Sequence, residues 1–140
     1  MRPIGLTAFC FVALILAPLA SADPTPGHDA KVNVRTPPML CEIGSDDAEP
    51  GVGPNVVCQG SFVQAPGDDQ AFVTAAGEFR YRGANIGVGY PHAPFDTLVP
   101  GQTYHIQGWT VVARDDGIRF TNDASGHGMR IDTNTAVNPF

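Results

Sequence analysis

Residues 103–120 read TYHIQGWTVVARDDGIRF, and this stretch decides the fold class. Tyr104 and Ile106 alternate with polar neighbours, Trp109 and Val111 follow beyond Gly108, and Ile118 and Phe120 return after Asp115-Asp116. A period of two is the mark of a half-buried strand. The alternation changes phase at Gly108, so a β-bulge there is expected to bring Tyr104, Ile106, Trp109 and Val111 onto one face. Arg114-Asp115-Asp116-Gly117 supplies a hairpin turn, with Gly117 suited to positive φ.

The rest of the chain repeats this grammar. Short β-prone runs at Lys31–Val34, Met39–Ile43, Asn55–Val63, Gln70–Ala75, Glu78–Arg82, Asn85–Tyr90 and Met129–Ile131 are separated by Gly, Pro, Asn and Asp. Glu78–Arg82 alternates strictly, with Phe79 and Tyr81 on one face and Glu78, Arg80 and Arg82 on the other. Gly44–Pro54 (GSDDAEPGVGP) is a solvated acidic loop, and no window of ten residues carries a helical period. Sixteen Gly and thirteen Pro in 140 residues, with only 16% charged, exclude a coiled coil, a helical bundle and a charge-rich disordered chain. Hydrophobic content of 43% is enough for a small core. The expectation is an all-β domain over 31–140, a small antiparallel sandwich or barrel, preceded by a lead-in at 23–30.

Met1–Ala22 has the three parts of a secretory signal peptide. Arg2 gives the positive start, Leu6–Leu16 is an apolar run of 11, and Ala20-Ser21-Ala22 offers small residues for cleavage before Asp23. The run is short for a hydrocarbon core of about 30 Å; the alternative is an uncleaved anchor. Cleavage leaves seven Lys/Arg against 14 Asp/Glu, a formal charge of −7. Such a surface repels phosphate backbones and anionic lipid, so neither nucleic acid nor stable membrane insertion after cleavage is expected. Cys10 leaves with the signal, and Cys41 and Cys58 remain as an even pair in an oxidising compartment. They are expected to bond to each other, stabilising the fold by about 3 kcal/mol.

Catalytic and metal-binding patterns do not emerge. His28, His92, His105 and His127 have no spacing that would converge on one metal. The pairs Asp46-Asp47, Asp68-Asp69 and Asp115-Asp116 read as turn punctuation rather than a calcium loop. There is no Gly-x-Ser-x-Gly elbow, and Ser125 and His127, two apart, are poorly placed for a nucleophile–base pair. No catalytic residue, metal or cofactor is therefore assigned. Surface recognition remains, with Tyr104, Trp109, Arg80, Arg82 and His127 as candidate binding residues. Against this stands the plainer reading: the aromatics are core, and Arg80 and Arg82 blunt an edge strand.

Gly101–Met129, with its Gly-Trp, Arg-Phe-Thr-Asn and Gly-His-Gly-Met elements, together with MLCEIG around Cys41 and NVVCQG around Cys58, resembles small exported proteins of mycobacteria and their relatives. The resemblance implies a signal peptide, a cysteine pair and residence outside the cytoplasm. It carries over no catalytic residue, ligand or partner. The functional expectation is an exported, non-enzymatic β module that meets an unidentified envelope or extracellular partner. The alternative is a small secreted hydrolase whose site assembles only in the fold.

Overall fold

The computed structural model describes residues 30–44, 51–84, 86 and 95–140. The expected signal peptide, most of the lead-in, Asp46-Asp47 and all of the candidate strand Asn85–Tyr90 except Ile86 lie outside these residues. Eleven strands are formed: β1 (Ala30–Arg35), β2 (Pro38–Gly44), β3 (Asn55–Gln59), β4 (Gln70–Thr74), β5 (Phe79–Arg82), β6 (Asp96–Leu98), β7 (Thr103–Ile106), β8 (Trp109–Arg114), β9 (Gly117–Asn122), β10 (Gly128–Asp132) and β11 (Val137–Pro139). They make two sheets, a six-stranded one ordered β5-β4-β3-β2-β1-β6 and a five-stranded one ordered β11-β10-β9-β8-β7. Nearly every neighbour is antiparallel; the exception is β6, which runs parallel to β1. The architecture is sandwich-like.

One face of each sheet turns inward. Val32, Val34, Cys41, Ile43, Val56, Cys58, Ala71, Val73 and Leu98 from the first sheet join Trp109, Val111, Ile118, Phe120, Met129 and Ile131 from the second in one core. Phe79 and Tyr81 pack against it from β5, on the face that their alternation assigns. The Cys41–Cys58 disulfide is formed, between residues directly opposite each other on β2 and β3, with Cα atoms 4.1 Å apart. It faces the core, and its cysteines flank the acidic loop as the sequence requires.

Gly108 is not a bulge. Gln107 and Gly108 both hold positive φ, 51° and 79°, and form the two central residues of a tight hairpin between β7 and β8. Such turns match the right-handed twist of the strands they join, and glycine takes the left-handed position without a Cβ penalty. Ile106 is thereby paired with Trp109 and Tyr104 with Val111. The four side chains do share a face, because the chain reverses there. The expected Asn55–Val63 strand also ends early: β3 stops at Gln59, and the loop that follows buries Phe62.

The sheet edges are treated differently. Gln64, in the β3–β4 loop, reaches β11 of the other sheet. Its side-chain oxygen accepts from Val137 N at 3.0 Å, its amide donates to Val137 O at 3.2 Å, and the same oxygen accepts from the Tyr81 hydroxyl at 3.0 Å. One glutamine thus imitates a peptide unit along the free side of β11. Pro139, two residues on, has no N–H to leave open.

Candidate functional site

The strictly alternating β5 lies at the edge of the six-stranded sheet and pairs with β4 so that Arg80 stands opposite Phe72 and Arg82 opposite Gln70. Val73 and Ala71 point into the core, so Phe72 points away from it. On the outer face Phe72 joins Val57 and Ile86 in a second, smaller hydrophobic cluster, with Val52 against it. Both guanidinium groups of β5 gather over the Phe72 ring, each with its central carbon 4.5 Å from the ring centroid. A guanidinium over an aromatic face is attracted by the ring quadrupole while its aliphatic stem shields apolar surface. The ring is accordingly only 1% exposed.

Two glutamines order the surroundings. Gln70, itself 2% exposed, accepts a 2.8 Å hydrogen bond from Arg82 Nε, which fixes that guanidinium's rotation and leaves its terminal N–H groups available. Gln59 accepts from the Ile86 main-chain N–H at 2.6 Å, holding the residue that completes the apolar cluster. Among the described residues the ion pairs are Lys31–Glu42 at 3.6 Å and Arg130–Asp116 at 3.1 Å. Arg80 and Arg82 are therefore two neighbouring cations with no described carboxylate in ion-pair contact. Sequence reasoning found both arginines but missed Phe72, Gln70 and Gln59. The missing signal was register, because only the β4–β5 pairing shows which β4 residues share the arginines' face.

The other candidate residues lie elsewhere. Trp109 is fully buried in the sandwich core and presents nothing to a partner; its indole N–H has no hydrogen-bond acceptor among the described residues. Tyr104 is half-buried, and its hydroxyl accepts from Val99 N at 2.8 Å. His127 is exposed, with Nδ1 3.2 Å from the Phe140 main-chain oxygen. Ser125 Oγ accepts from the His127 main-chain N–H, so the two side chains form no nucleophile–base pair. The histidine ring instead covers Gly77 in the β4–β5 turn, where an added Cβ would stand 2.9 Å from it. His127 is a contact between turns of the two sheets.

Beside that contact an open cleft of about 650 Å³ lies between the ends of the sheets, lined by Val52, Pro54, Ala75 and Ala76 on one side and Gln107, Asn122, Asp123 and Ser125 on the other. Asn122 holds its wall in shape by accepting from the Ala124 and Ser125 N–H groups at 3.1 Å each. Asp123, at its margin, accepts from the Thr110 hydroxyl, which also lies 3.2 Å from His105 Nδ1. Asp115 and Asp116 occupy the β8–β9 turn at the opposite end of that sheet, so they and His127 do not share a cleft.

Burial raises the Tyr81 hydroxyl above its ordinary pKa of 10.0. Among the described residues no three His, Cys, Asp or Glu side chains stand close enough to hold a metal, and no helix is long and apolar enough to cross a membrane. Comparison with protein-family models, curated proteins and solved structures returns no match.

Proposed function

We propose that the chain is an exported recognition module of the cell envelope or extracellular space. It works by non-covalent contact through the outer face of its six-stranded sheet, and its partner is anionic. The observation that carries this reading is the pairing of Arg80 and Arg82 over Phe72 with no described carboxylate in ion-pair contact. In a chain of formal charge −6, acidic side chains outnumber basic ones 14 to 8, yet neither arginine forms an ion pair with a described carboxylate, which leaves both charges for negative charge supplied from outside. The ring and Gln70 restrict both long side chains before a partner arrives, which lowers the ordering cost of binding. The oxidising compartment suits the buried disulfide, and the apolar run Leu6–Leu16 followed by Ala20-Ser21-Ala22 suits export.

Fractionation of a producing culture tests the proposal. The expected result is a protein outside the cytoplasm beginning at Asp23 by mass spectrometry, associated with anionic envelope material and released by salt. Replacing both arginines (Arg80→Met with Arg82→Met) keeps apolar cover on Phe72 and is expected to free the protein into the medium. Identical distribution of the two proteins would refute the recognition surface; retention in the cytoplasm would refute export.

A further inference from the structure

We infer that the Arg80–Arg82 site takes a phosphate or sulfate ester; this rests on the recognition reading above and narrows it to a ligand chemistry. Two guanidinium carbons that each lie 4.5 Å from one ring centroid are separated by at most twice that distance. A single oxyanion, with a charge-assisted N–H···O bond of about 2.8 Å on either side, closes a span of that size. The ring contacts occupy no N–H group of either guanidinium in a hydrogen bond, so their donors remain for a ligand. Gln70 occupies Nε of Arg82 and leaves its four terminal N–H groups, and the five donors of Arg80 make no hydrogen bond to a described residue.

The geometry of the donors selects among oxyanions. A carboxylate is planar and offers its two oxygens along one edge, which satisfies one guanidinium fork. A phosphate or sulfate ester has three terminal oxygens in a tetrahedral array, so that different pairs of oxygens face different directions. Two guanidiniums arriving from separate residues of one strand are matched by the second arrangement. A phosphate monoester, at about −1.5 to −2 at pH 7, also balances both cations, whereas a sulfate ester, with a single charge, balances one.

The test is a titration of the ¹⁵N-labelled secreted protein, disulfide intact, followed through the Nε–H signals of Arg80 and Arg82 and the side-chain amide of Gln70. The probes are methyl phosphate, methyl sulfate and acetate, at constant ionic strength made up with chloride. Saturable shifts with the two esters, at least about tenfold weaker with acetate, are expected. The Arg80→Met/Arg82→Met protein, read at the Gln70 amide, is expected to lose the response while remaining folded, with a lower Tm from the lost Arg82–Gln70 bond; Arg80→Lys/Arg82→Lys, read at the same amide, keeps both charges without the forks and is expected to bind at least several-fold more weakly. Acetate binding as well as the esters would overturn this inference while leaving anion recognition standing. No saturable response to any of the three would overturn both. Two further arms separate the sources of the ester. Co-sedimentation with phosphatidic acid but not phosphatidylcholine vesicles indicates a lipid headgroup, and binding of glucose 6-phosphate in their absence indicates a soluble or glycan-borne ester.

Discussion

Gly77 holds φ at +87°, and a methyl group built on it would stand 2.9 Å from the His127 ring. Two separate penalties follow for Gly77→Ala. The left-handed backbone costs a residue with a Cβ about 1–2 kcal/mol, and the ring must move. The expected outcome is a loss of stability of that order or slightly more in chemical denaturation, with only the steric part recovered when His127→Ala is added. A fully additive double variant would mean that the ring does not press on the turn. Tyr81 gives a pH signature on the neighbouring strand. Its folded pKa lies above 10 because burial disfavours the phenolate. A group whose folded value is raised contributes stability that is whole below the unfolded value and is lost as pH rises through the folded one. Stability is therefore expected to hold to about pH 10 and then decline. Tyr81→Phe is expected to flatten that decline, at the cost of the Gln64 hydrogen bond at neutral pH; equal alkaline slopes in denaturant melts would count against the burial account.

Gln64 serves an element rather than a single contact, since its side chain closes the free edge of β11 at both Val137 groups and carries the Tyr81 hydroxyl. Gln64→Ala leaves a strand edge open to pairing. It is expected to lose about 1 kcal/mol, to lower hydrogen-exchange protection at the Val137 amide, and to promote self-association visible by light scattering. Gln64→Glu accepts but cannot donate at neutral pH, so it is expected to fall between the two. The strands themselves were largely legible in the sequence. EFRYR and TYHIQGWTVVARDDGIRF alternate visibly, and the faces read from them hold in the structure. The β-bulge at Gly108 was a misreading because one phase change fits either a bulge or a reversal, and only the pairing of Ile106 with Trp109 separates them. The edge strands β6 and β11 escaped notice because three residues are too few to display a period. The candidate site was half legible. Arg80 and Arg82 stood out by charge and alternation, whereas Phe72, Gln70 and Gln64 matter through contacts set by strand register and loop path, which composition does not encode.

Across the whole molecule, the disulfide and the arginine site occupy opposite faces of the same sheet, on β2–β3 and on β4–β5. Cys58 turns into the core, while Val57 beside it turns outward to meet Phe72, which bears the guanidiniums. Anything that loosens the β2–β3 pair therefore reaches the outer cluster through one peptide unit. The linkage closes 17 residues of chain, including the acidic loop, and constrains the unfolded state by about 3 kcal/mol. In a domain of this size each kcal/mol moves Tm by about 4 °C. Replacing both residues (Cys41→Ala with Cys58→Ala) is accordingly expected to lower Tm by roughly 10–20 °C, since lost core contacts add to the lost constraint. Both cysteines are almost wholly buried, at 1% and 0% exposure. Reductant is thus expected to leave the native protein oxidised and to act only when denaturant opens the sandwich, as read by alkylation and mass spectrometry. The same variant tests the coupling between faces: if the strands transmit strain, the Arg80 and Arg82 Nε–H signals shift well below the midpoint of unfolding. Arginine signals that remain fixed until global unfolding would show instead that the outer cluster holds the site by itself, with the sulfur link serving stability alone.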